Sequence, residues 1–319
     1  MLRLGLCCKF LEEPIKFRTT TAKSMGRLIR SEQLQKLSRL CLANAWALGR
    51  AVEFCHQNHI GCFRVNSRIL PLKTHPQLAY ALDILPDGRE IRNTFLDCGK
   101  KAARLGVRLT FHPDQFILLS SPDKEIVRNS IRELEYQAEV SDWIGADVIN
   151  IHGGGGYGDK RSALERMGET IAKLNRGVRE RLTLENDDRV YTPSDLLPFC
   201  RQHRLPFVYD VHHHHCLPDR LTIPEATRMG LKTWNREPLF HLSSPREGWG
   251  SSRPQCHHDY IDIKDFPDCW KDLDITIEVE AKAKELAVIR LQKALKKKLG
   301  KTGLKKNGKF KKSSPVKKA

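Results

Sequence analysis

Six short apolar stretches of this chain end on a side chain that can bind a cation. His112 closes LTFH, His152 closes INIH, Glu185 closes LTLE, Asp210 closes FVYD, His241 closes LFH and Glu280 closes TIEVE. Any one of these alone is more often a hydrogen-bonded polar residue of a core than a ligand. Six in succession make a different case, because imidazoles and carboxylates converging on one point form a site for more than one divalent ion. His213, in the internal run His212 to His215, is a seventh candidate, and His257 or His258 in QCHHDY supplies an eighth. A run of four histidines is often an engineered tag, but this one lies inside the chain beside a strand end. The mixed donor set suits manganese, zinc or iron better than calcium or magnesium, with manganese expected first and zinc second.

Such a site suits phosphodiester hydrolysis, in which one ion acidifies a bound water while others neutralise the attacked phosphate and the leaving alkoxide; about two or three ions per chain are expected. A nucleophilic side chain is not required, and none is conspicuous. Gly153 to Gly156 follow His152. They either admit the close approach of a nucleic-acid backbone or form an ordinary loop, and the sequence favours neither.

These side chains need a scaffold that brings strand ends together. Apolar runs at Arg3 to Cys8, Cys62 to Asn66, Val107 to His112, Asp147 to His152, Leu182 to Glu185, Pro206 to Asp210, Leu239 to Leu242 and Asp274 to Val279 read as strands. Amphipathic segments between them read as helices: Leu34 to His56, Ile91 to Arg104, Glu125 to Ile144, Arg161 to Arg179, one opening at Ser194, one started by Pro224, and Lys284 to Lys297. Eight strands alternating with helices predict a (β/α)8 TIM-type barrel over an open doubly wound sheet, although counting alone does not fully separate the two. In a barrel all the carboxyl ends share one mouth. No GxGxxG follows the first strand, so no nucleotide cofactor is expected.

The chain has 319 residues, with 55 Lys plus Arg against 38 Asp plus Glu. From Arg290 onward there are 13 basic and no acidic residues, so most of the net charge of +17 belongs to the C-terminal end. We expect a barrel domain over 1–294 and a disordered Lys-rich tail over 295–319, acting either as a phosphate tether or as a merely solubilising end. Ten cysteines without a CxxC pair, no leader-like segment and no long apolar run predict a soluble, cytoplasmic protein with reduced thiols and no membrane partner.

The motifs HPDQF, NIHGGG, LEND, YDVHHH, HLSS and EVEAK, in that order, resemble the UV damage endonucleases, relatives of endonuclease IV and of xylose isomerase-like barrels. The resemblance runs from RLGLCC to IEVEAKAKE and leaves only the tail outside. It implies a monomer that nicks double-stranded DNA immediately 5' of UV photoproducts and other lesions. It implies one ion on His112, His152 and Glu185, with Glu185 bridging to a second on Asp210, His241 and Glu280, and a third on His213 and His257. Glu185, His241 and Glu280 are the catalytic residues implied. Gln115 and Phe116 correspond to the pair inserted at the lesion. The chain departs from the family at three places: Leu239 replaces a lysine that the family carries as a metal-binding carbamate, Phe116 replaces a tyrosine, and Leu6 and Phe10 replace a Tyr and an Asn facing the lesion. Other readings are an abasic-site endonuclease, a sugar isomerase or epimerase, and a noncatalytic DNA-binding barrel.

Overall fold

The computed structural model describes residues 2–299. Its elements in chain order are β1 (Arg3–Cys7), α1 (Ala22–Met25), α2 (Arg30–Gln57), β2 (Cys62–Val65), α3 (Gly88–Leu105), β3 (Arg108–Phe111), α4 (Lys124–Ile144), β4 (Val148–His152), α5 (Lys160–Lys173) and α6 (Arg176–Arg179). There follow β5 (Leu182–Glu185), α7 (Pro193–His203), β6 (Phe207–Asp210), α8 (Val211–Cys216), α9 (Ile223–Leu231), β7 (Leu239–Leu242), β8 (Thr276–Val279) and α10 (Lys284–Leu299). The eight strands pair in parallel in sequence order, and β8 returns to β1 with Arg3 opposite Thr276, closing the barrel. The expected TIM-type barrel is the fold observed.

Strands buried on both faces read as nearly continuous apolar runs, and their residues alternate between the helix layer and the barrel interior. Outward residues such as Phe63, Phe111, Phe207 and Phe240 are fully buried in the main core. The interior is layered. Val148, Val208 and Leu239 form a separate small cluster backed by Trp234. On the inward face one step nearer the mouth come Thr110, Asn150, Thr183, His241 and Glu278, all buried. Leu239 is therefore a filler of the apolar layer two residues below His241, and it offers the mouth no donor.

Local signals set the helix ends. Gly106 and Gly145 take left-handed conformations, φ +70° and +71°, at the ends of α3 and α4, where a side chain would be strained. The segment read from the sequence as one helix over Arg161 to Arg179 is two. Asn175 stands extended and caps α6 by accepting the Val178 N–H at 2.9 Å, which breaks the helix after Lys173. Pro193 and Pro224 sit in the first turns of α7 and α9, each behind a threonine cap. At the C-terminal end α10 runs to Leu299 and buries Leu295, so the boundary expected after residue 294 falls too early. The rest of the expected tail, 300–319, lies outside the described residues. No described helix is long and apolar enough to cross a membrane, and the ten cysteines are unpaired.

The loop after β1 is tied to α10 by one carboxylate. Glu285, buried in the first turn of α10, accepts the N–H groups of Leu11, Glu12 and Glu13 at 2.8, 2.7 and 3.2 Å. Glu285→Ala is expected to lower stability in urea unfolding by about 1–3 kcal/mol, with Glu285→Gln recovering part of it. An unchanged unfolding midpoint for the alanine variant would show that water replaces the carboxylate without cost.

Candidate metal centre

Barrel closure brings the strand ends to one mouth. His152, Glu185 and Asp210 are the last residues of β4, β5 and β6; His112 and Glu280 follow β3 and β8 directly, and His241 is the third residue of β7. Glu185 is the hub and is fully buried. Its Oε2 lies 3.0 Å from His112 Nε2 and 3.3 Å from His152 Nε2; its Oε1 lies 3.0 Å from His241 Nδ1 and 3.3 Å from His213 Nδ1. Three sets of donor atoms lie within 4.8 Å of one another: His112, His152 and Glu185; His112, His241 and Glu280; Glu185, Asp210 and His213.

The first set is the one the resemblance implies. The second and third sets divide the remaining implied ligands, and His241 Nδ1 stands between them, 3.5 Å from Glu280 Oε1 and 4.0 Å from Asp210 Oδ2. His213 Nδ1 lies 3.5 Å from Asp210 Oδ2. His257, on the loop after β7, lies 3.7 Å from Glu280 Oε2, with its ring 5.1 Å from that of His212.

Donor chemistry and burial fit a cation here. Asp210 Oδ2 is buried without a hydrogen-bond donor, and a desolvated carboxylate oxygen in that state is costly unless a positive charge compensates it. Burial alone would raise the Glu185 carboxyl, but His241, His152 and His112 around it hold it well below the usual carboxylate range. Burial likewise opposes protonation of His241, yet Glu185, Glu278 and Glu280 push it up to about 10. His213 is also raised, since Asp210 and Glu185 outweigh burial, whereas burial dominates for His112 and lowers it.

Beneath the donors lies a layer that fixes their orientation, and sequence reading missed it. Asn150 donates to Glu185 Oε2 at 2.5 Å and its own carbonyl takes the Thr183 hydroxyl at 2.9 Å. Glu278 Oε2 faces His241 Nε2 at 3.2 Å, and its Oε1 accepts the Thr110 hydroxyl. A carboxylate behind an imidazole directs the opposite ring nitrogen outward as a ligand. The alternation in EVE was the available signal, because Glu278 and Glu280 share the inward face. Carbonyl oxygens of Pro113 and Asn186 sit 3.1 and 2.9 Å from Nδ1 of His112 and His213, and each can only accept a proton there.

Above the donors opens a cleft of about 730 Å³, lined by Lys9, Arg18, Arg64 and Arg68 among others. Gln115 and Phe116 stand on the β3–α4 loop at its rim, both exposed, Phe116 at 71%. Leu6 and Phe10 do not reach it: Leu6 is fully buried, and Phe10 packs on Phe54 and Phe63 with ring centroids 5.2 and 5.8 Å away. Cys8 and Lys9 face the cleft from that segment instead. Gly153 has a packing reason, since a Cβ there would meet the Tyr191 ring at 2.5 Å.

A closed parallel barrel with a histidine and carboxylate cluster at its carboxyl-end mouth defines a TIM-barrel enzyme. The profile of the family described as UV-endonuclease UvdE matches residues 2–307, and the chain belongs to that family. It is 35% identical over 292 residues to the UV DNA damage endonuclease of Bacillus velezensis, covering 87% of this chain and 88% of that one. The Bacillus mycoides UV DNA damage endonuclease is 34% identical over 287 residues, covering 86% and 87%. The crystal structure of SacUVDE superposes with a TM-score of 0.83 at 26% identity over 94% of this chain and 99% of that one. Endonuclease IV from Thermus thermophilus shares the fold, at a TM-score of 0.60 and 16% identity over 93% and 99%. The protein is thus a DNA repair endonuclease.

The carboxylates around His241 and His213 raise the first to about 10 and the second above its ordinary value, so a cation competes with protons at this site. Affinity is then expected to rise with pH below their raised values, by about tenfold per unit for each proton displaced. Calorimetric manganese titrations at pH 6 and 8, in buffers of different ionisation enthalpy, should report proton release. Equal affinity at both values, with no buffer dependence, would contradict it.

Proposed function

We propose that this endonuclease is metal-dependent, acts as a monomer on double-stranded DNA, and hydrolyses the backbone immediately 5' of UV photoproducts and other lesions. The observation that carries the metal dependence is the hub at Glu185, whose two oxygens face four imidazole nitrogens, beside the buried Oδ2 of Asp210, which accepts no hydrogen bond. On this reading His112 and His152 with Glu185 hold one divalent ion, Glu185 is shared with a second that draws on Asp210, His241 and Glu280, and His213 with His257 offers a third position. Manganese is the preferred metal and zinc the alternative. Such ions, when bound, acidify coordinated water and neutralise charge on a phosphate.

The chain's own residues do the rest. Asn150 holds Glu185 in place by a hydrogen bond, and Glu278 stands 3.2 Å behind His241 Nε2, so the donor set is supported from below. Lys9, Arg18 and Arg68 line the cleft where backbone phosphates lie and give affinity without sequence preference. Phe116, exposed beside Gln115, stacks into the helix at a weakened step and opens it, so that the lesion leaves the base stack. A phenyl ring retains this stacking without a hydroxyl donor.

The test is nicking of UV-irradiated, depurinated and untreated supercoiled plasmid with manganese and with chelator. Metal-dependent nicking strongest on the irradiated plasmid is expected; preference for the depurinated one would move the assignment to an abasic-site endonuclease. In the same assay Glu185→Gln should lower nicking by at least on the order of a thousandfold while leaving the circular dichroism unchanged. Near-native activity of that variant would remove Glu185 from the centre.

A further inference from the structure

A second concentration of positive charge lies at the opposite pole of the barrel from the mouth. Arg179 ends α6 before β5, Arg201 and Arg204 stand at the end of α7 before β6, and Lys232 and Arg236 lie between α9 and β7. These are helix-to-strand connections, and in a barrel they share the amino-end face. Together they line a cleft of about 790 Å³ that holds these five cationic side chains and one carboxylate, Glu180. Glu180 is already engaged, since its Oε1 accepts Arg176 Nε at 2.6 Å.

Basic residues at helix ends commonly cap the last carbonyl oxygens, but these do not. The Cys200 carbonyl accepts the Leu205 N–H at 2.9 Å, and the Gly230 carbonyl accepts the Thr233 N–H and hydroxyl at 2.9 and 2.7 Å. The neighbouring carboxylates are also paired, Asp142 with Arg181 and Asp147 with Arg108, so among the described residues Arg179, Arg201, Arg204 and Lys232 have no acidic partner. Arg236 is the least exposed of the five. Its guanidinium carbon lies 5.4 Å from the Trp234 ring centroid, and its Nε is 3.7 Å from Asp147 Oδ2, which Arg108 already holds at 2.8 Å. Burial above all holds Arg236 below its ordinary value, and Arg108 and Arg181 act in the same direction against Asp147. Its charge is therefore only partly compensated.

We propose that this amino-end cleft binds a compact polyphosphate, an anion carrying several closely spaced phosphoryl groups. Guanidinium forks meet phosphate oxygens in pairs, and four of the five cations here are arginines. Like charges gathered in a concavity raise the local concentration of anions, so a ligand of high charge gains most. The cleft volume lies within the range of small-molecule sites, roughly 300–1,000 Å³, which suits a chain of phosphoryl groups. Asn235 turns its Oδ1 to Arg236 Nη1 at 3.1 Å, which leaves its amide hydrogens for an acceptor in the cleft. The proposal does not depend on the metal-centre reading, because the cleft lies on the other face of the barrel.

The probe is tripolyphosphate, supplied as its magnesium complex so that it does not strip cations from the holoenzyme. Binding is followed by calorimetry and by the rise in melting temperature, with melts in the absence of probe as the fold control. Wild type should bind it saturably, and Arg201→Gln/Arg204→Gln at least about tenfold more weakly. Lys9→Gln/Arg18→Gln, at the mouth, should bind like wild type. If the first variant does not fold, Arg179→Gln/Lys232→Gln tests the same cleft independently and should show the same loss. No saturable binding by wild type, wild-type binding by the folded amino-end variants, or a loss confined to the mouth variant overturns the proposal. A lesion-free duplex separates the sources of phosphate: its affinity should be equal in wild type and Arg201→Gln/Arg204→Gln. A variant that loses duplex binding, in a protein that takes up no tripolyphosphate, would make the cleft a DNA track and overturn the polyphosphate assignment.

Discussion

A carboxylate buried at the centre of a protein must be surrounded by donors or by positive charge, and Glu185 organises the mouth of this barrel around that requirement. Four imidazoles from β3, β4, α8 and β7 come within 3.3 Å of its two oxygens. No single strand can supply them. Only closure of the sheet, with β8 returning to β1, sets ends separated by more than a hundred residues of chain onto one ring. The electrostatic cost of burying Glu185, Asp210, Glu278 and Glu280 is thus linked to the topology.

The interior is graded to support this arrangement. Val148, Val208 and Leu239 fill an apolar layer; Thr110, Asn150, Thr183 and Glu278 form a hydrogen-bonded layer above it; the donors stand on top. Each step toward the mouth exchanges apolar packing for polar restraint. The middle layer matters because buried polar groups are tolerated only when they are satisfied, and satisfied networks are rigid. An apolar layer directly below the donors would leave the rings of His241 and the carboxylate of Glu185 free to turn. The cleft above carries cationic side chains and an exposed phenyl ring, which suits a polyanion whose stacked bases must be parted.

The strands and the six strand-end donors were legible in the sequence because each strand is a short, mainly apolar run, and from β3 to β8 a His, Asp or Glu stands at or next to its end. His112 and Glu280 lie one residue past their strands, an error within ordinary end fraying. Less legible were features whose cause lies far along the chain. Arg64 reads as an ordinary charged residue until β8 places Glu278 beside it, 214 positions away. The break at Leu174 depends on the Asn175 cap, which a periodic apolar pattern hides. The histidine run gave donors but no geometry: α8 turns His213 toward Asp210 and Glu185, while His214 turns to Tyr209 and Asp219 at 2.6 and 3.1 Å. His213 and His257, joined in the family resemblance, both line the cleft above the donors.

The central claim is that the Glu185 hub is a seat for divalent cations. Anomalous diffraction at the manganese edge, from crystals grown with manganese, tests it directly. Two peaks within coordination distance of the Glu185 oxygens are expected, one beside His112 and His152 and the other toward Asp210 and His241. Crystals of protein that nicks irradiated DNA, showing no peak at Glu185, would contradict it.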